Sequence, residues 1–62
     1  INLIGVYLSS GKRSALIRLT SGKRVIVKVG DNLDGGKVAA IGDTELRYIK
    51  RGQNITLELP KG

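Results

Sequence analysis

Apolar residues recur at every second position in short stretches, and polar segments containing glycine separate the stretches. The alternation is clearest near the end, where Ile55, Leu57 and Leu59 fall on one face and Asn54, Thr56 and Glu58 on the other. A repeat of two is the spacing of a strand with one buried face. Ala15, Ile17 and Leu19 repeat the pattern, as do Val25, Val27 and Val29, and Arg18, Arg24 and Lys28 then face away. Leu3-Ile4-Gly5-Val6-Tyr7-Leu8 is apolar on both faces, so it predicts a strand that is covered on both sides or leaves one side exposed.

Turn chemistry divides the chain into six predicted strands, at residues 2–8, 14–20, 23–29, 37–41, 45–50 and 53–59. The segment Ser9-Ser10-Gly11-Lys12-Arg13 separates the first two, and Ser21-Gly22 supplies a tight hairpin turn because glycine takes positive φ without strain. Gly42-Asp43-Thr44 and Arg51-Gly52 make two further turns, and Pro60, lacking an amide donor, closes the last strand. The longest connection, Gly30 to Gly36, surrounds the single apolar Leu33 with turn formers, which predicts that Leu33 plugs back into the core. No stretch calls for a helix. The expected fold is all-β, a small six-stranded sandwich of two three-stranded antiparallel sheets, forming one domain over residues 1–62 and dividing at the glycine-rich loop. Its expected core is Val6, Ala15, Ile17, Leu19, Val25, Val27, Leu33, Val38, Ile41, Leu46, Ile55, Leu57 and Leu59.

A chain of 62 residues buries a thin core, and with no cysteine and no histidine it has neither disulfides nor the commonest metal ligands to reinforce it. No apolar run reaches membrane-spanning length, and the first residues lack the basic stretch and apolar core of a signal peptide. A soluble domain is expected. The start at Ile1 and the end at Pro60-Lys61-Gly62 suggest one excised from a longer protein.

The same residue inventory argues against an enzyme. General acid–base chemistry needs positioned, pKa-tuned groups, yet every carboxylate except Glu45 and Glu58 falls in a turn. Asp31 and Asp34 lack the further oxygen donors of a calcium loop, and the 30–36 segment lacks the glycine spacing and following helix of a phosphate loop. Gly30, Gly35 and Gly36 are therefore expected to serve backbone geometry. No catalytic residue, cofactor or metal is assigned.

The net charge of +6 brings nucleic acid into consideration. Against it stand the two aromatic residues, Tyr7 and Tyr48, too few for a base-stacking platform, and cations spread among nearly all runs. A small basic β-barrel binding nucleic acid is the alternative function; an acidic protein surface is an equally plausible target of the charge.

The order of the segments carries a resemblance across essentially the whole chain. Leu3-x-Gly5-Val6 is followed by Ser14-Ala15-x-Ile17, then by Val29-Gly30-Asp31-x-Leu33-x-Gly35-Gly36-x-Val38 with Ile41, and finally by Gly52 ahead of Thr56-Leu57-x-Leu59-Pro60. This resembles the periplasmic homology-region domain of bacterial type II secretion protein C and the related type IV pilus protein P. Its most specific element is the valine–glycine–aspartate segment leading to the double glycine. Arg47-Tyr48-Ile49-Lys50-Arg51 departs from the pattern by being more basic.

The resemblance implies two packed three-stranded sheets, in a non-catalytic domain held in the periplasm by an inner-membrane tether outside this chain. It also implies contact with the N-terminal periplasmic domain of an outer-membrane secretin and with other inner-membrane assembly proteins, in either a secretion or a pilus system; nucleic acid is not an expected partner. The doubly apolar first strand supplies the candidate interface, through its side chains and, at a sheet edge, its backbone. The partner-binding candidates are Ile4, Val6, Tyr7 and Leu8, with Arg18 added because it interrupts an apolar run.

Overall fold

In the computed structural model, which describes residues 1–60, turns of two or three residues let short strands pair with their chain neighbours. The strands are β1 (Asn2–Ser9), β2 (Lys12–Arg18), β3 (Arg24–Lys28), β4 (Asn32–Leu33), β5 (Gly36–Ile41), β6 (Glu45–Lys50) and β7 (Gln53–Glu58). They form two antiparallel sheets, ordered β1-β2-β3 and β4-β5-β6-β7. The first sheet lies on the second, with β1 against β6 and β7 and with β2 and β3 against β5.

The all-β sandwich and its division at the glycine-rich loop agree with the sequence pattern. The additional strand is β4, formed where Asp34 (φ 50°) and Gly35 (φ 78°) turn the chain back so that Leu33 pairs with Gly36. Two successive positive φ angles make the turn whose twist matches a hairpin. Ser10-Gly11 and Arg51-Gly52 repeat it, at φ 52° and 75° in both cases. The first hairpin is consequently longer than predicted, with Ser9 pairing with Lys12.

Inward-facing positions form cross-strand rows, since residues paired across an antiparallel ladder share a face. In the first sheet these are Leu3–Ile17–Val25 and Val6–Ala15–Val27; in the second, Val38–Tyr48–Ile55 and Ile41–Leu46–Leu57. Leu33 is buried among them as expected. Leu3 and Tyr48 join the core, whereas the expected core residues Val6, Leu19, Val25, Ile55, Leu57 and Leu59 are half-buried and pack around it.

A register shift between Leu3 and Gly5 makes Ile4 the extra residue of a β-bulge, which lets Leu3 and Val6, three apart, both face inward. A second shift between Val38 and Ala40 does the same for Val38 and Ile41. Gly36 is required by close approach: a Cβ there would collide with the Ile49 carbonyl. Gly30 (φ 95°) and Gly35 are required by their left-handed backbone.

Candidate functional site

The outer face of the first sheet is left uncovered by the second, and the ladder fixes what it presents. Its rows are Asn2–Arg18–Arg24, Gly5–Leu16–Ile26 and Tyr7–Ser14–Lys28, followed by Ser9–Lys12. Leu16 is half-buried and Ile26 is 64% exposed. The Tyr7 ring leans along β1 over Gly5, with its hydroxyl 3.0 Å from where a Gly5 Cβ would stand. An aromatic ring covering a strand glycine in this way replaces the packing the missing side chain cannot supply. The result is an apolar centre of Tyr7, Leu16 and Ile26, with Arg18 and Arg24 at one end and Lys12 and Lys28 at the other.

The charge on this sheet is one-sided. Residues 1–30 contain six lysines and arginines and no carboxylate, while residues 31–62 contain five cations and five carboxylates, so the first half carries the whole net charge. Arg18 and Arg24 stand directly opposite each other, an arrangement that disfavours the pair unless an anion lies between them. Some cations outside this face find partners. Arg13 donates to the Asp43 carboxylate at 2.6 Å and to the Ile41 carbonyl at 3.3 Å. Lys50 reaches Asp34 at 3.1 Å. The segregation lies in the carboxylates, all five of which follow residue 30.

The five candidate interface residues do not form one surface. Tyr7 and Arg18 share the outer face, separated by Ser14 and Leu16 along β2. Val6 lies opposite Ala15 on the inner side and packs against the core. Ile4 occupies the bulge and is half-buried. Leu8 has inward parity but is 67% exposed, near the end of the β1–β2 hairpin, where its partner Arg13 reaches Ile41 and Asp43. Val29 is likewise exposed, although its alternation with Val25 and Val27 predicted an inward position. Beside it lies an open depression of about 350 Å³ lined by Lys12, Arg13, Lys28 and Val29. Ile26 and Leu16, absent from the sequence-based candidates, stand at the centre of the uncovered face.

Within the second sheet, Tyr48 is buried beneath Asp34, its hydroxyl 3.5 Å from a carboxylate oxygen. Burial and the Asp34 charge push the phenol above its ordinary pKa, with Lys50 opposing. This is a structural arrangement: it ties the Asp34-Gly35 turn to the core.

No protein family, no curated protein and no solved structure is matched significantly by the chain.

Proposed function

We propose that the chain is a non-catalytic protein-interaction domain of the bacterial periplasm, linking an inner-membrane secretion or pilus assembly complex to the N-terminal domain of an outer-membrane secretin. The observation that carries the interaction role is the uncovered outer face of the first sheet, with exposed Tyr7 and Ile26 at its centre, cations at both ends and no carboxylate. Aromatic and arginine side chains in this setting are the usual anchors of protein interfaces. The secretin assignment rests on the sequence resemblance, strongest in the segment from Val29 to Val38, and the two-sheet architecture is compatible with it.

The lack of any carboxylate to offset the cations of the first sheet also favours a second reading, binding to nucleic acid. The apolar centre argues for the first: Leu16 and Ile26 are aliphatic, and the ring of Tyr7 already lies over Gly5. Calorimetric titration with secretin N-terminal domains, set beside shift titrations with single- and double-stranded oligonucleotides, tests both. Saturable secretin binding weakened by Tyr7→Ala, with no oligonucleotide binding at physiological salt, is the expected result. Oligonucleotide binding that falls steeply with salt, with no secretin binding, would overturn the proposal.

A further inference from the structure

The first sheet ends at β3, and its hydrogen-bonding pattern identifies the backbone groups that remain available. The Leu19 amide donates to the Lys23 carbonyl, so Leu19 and Lys23 are a hydrogen-bonded pair. Hydrogen-bonded and non-hydrogen-bonded pairs alternate along an antiparallel ladder. The next hydrogen-bonded pairs are therefore Ile17–Val25 and Ala15–Val27, and the N–H and C=O groups of Arg24, Ile26 and Lys28 point away from β2.

Lys28 confirms the parity independently. Its amide donates to the Asp31 carboxylate at 2.9 Å, and its carbonyl accepts from the Asp31 amide at 3.0 Å. Asp31 thus closes one end of the edge. The backbone groups of Arg24 and Ile26 have no partner among the described residues. On the same side of the molecule, the second sheet is closed by β4 and by the bonds that join Gly30 and Asp31 to Val38.

Side chains add a chemical pattern to this short open edge. Arg24, Ile26 and Lys28 are all exposed on the outer face, in the order cation, aliphatic, cation, and Arg18 stands beside Arg24. A strand added at this edge would place every second side chain beside them. We infer that the edge of β3 binds an extended acidic segment of a protein partner by strand addition, with the partner pattern acidic–x–apolar–x–acidic facing Arg24, Ile26 and Lys28. The apolar residue meets Ile26, the acidic residues complete the two cations, and the Arg18–Arg24 pair gains the anion it lacks. The pattern reads the same in both directions, so it fits a parallel or an antiparallel strand. This inference rests on the reading of the domain as a protein-interaction module and specifies where, and by what chemistry, the partner is held.

The test is a titration of isotope-labelled protein with the blocked peptide Ser-Glu-Thr-Val-Thr-Glu-Ser, read by amide chemical shifts and hydrogen exchange. The expected result is saturable binding below about 2 mM, with exchange at Arg24 and Ile26 slowed at least about tenfold. Replacing Arg24→Glu together with Lys28→Glu, both at exposed positions, should weaken binding at least about tenfold, and a peptide carrying Lys in place of both Glu residues should restore it. Absence of saturable shifts, unchanged exchange at Arg24 and Ile26, or equal binding of the Glu and Lys peptides to the parent would each overturn the inference. A secretin domain titrated in parallel separates the two readings. If it binds without protecting Arg24 and Ile26, the edge assignment fails and the proposed function stands. Peptide protection without any secretin binding has the opposite meaning.

Discussion

The most demanding quantitative test of the fold is the replacement Ile17→Ala. Ile17 is fully buried at the centre of β2, between Leu3 and Val25 in the inward rows. The substitution deletes three carbon groups at about 0.8 kcal/mol each, or about 2.4 kcal/mol of transfer free energy. If the surroundings do not collapse, a cavity of roughly 75 Å³ adds up to about 1.8 kcal/mol. A domain of this length has a total stability of about 3–9 kcal/mol, so the variant is expected to lose about a quarter of it or more and to be partly unfolded at the low end. Leu57 faces the same core but is half-buried, so Leu57→Ala should cost distinctly less. Urea unfolding followed by far-ultraviolet circular dichroism, with both variants and the parent at one temperature, measures the difference. An unchanged midpoint for Ile17→Ala, or a greater loss for Leu57→Ala, would refute the packing described.

Gly36→Ala drives a Cβ into the Ile49 backbone and is expected to cost about 1–3 kcal/mol, more than Gly30→Ala, where the space is open and only left-handed strain of about 1–2 kcal/mol applies; thermal melts rank the two. Tyr48 has its pKa raised in the folded state, so its contribution to stability is full below its unfolded value near 10 and is lost as pH rises through the folded value. Denaturant midpoints measured across that alkaline window should fall less steeply for Tyr48→Phe than for the parent. Asp31→Ala removes the carboxylate that holds the Lys28 amide, so exchange of that amide should quicken selectively, with the remaining β3 amides unchanged.

Much of the architecture is visible in the linear pattern because its causes are local. Alternation in residues 14–19, 25–29 and 54–59 predicts strands because a pleated chain sends successive side chains to opposite faces. Leu33 reads as a core residue because it is the single apolar group in a turn-forming segment. Glycine after Ser10 and Arg51 reads as a turn because the backbone there needs positive φ.

The candidate surface depended on long-range geometry. A simple alternation cannot place both Leu3 and Val6 inside; the bulge at Ile4 does so, and it leaves Tyr7 outside with Arg18. Tyr48 sits in a basic stretch, yet it is buried because β6 is an interior strand whose inward face meets the first sheet. Leu8 and Val29 have the parity of core residues but are left exposed near the ends of their strands. Alternation along one strand determines which side chains share a face, since that follows from the covalent chain. Only the packing of one sheet on the other, and the termination of each sheet at its edges, decided which face is covered and which backbone groups remain free for another chain.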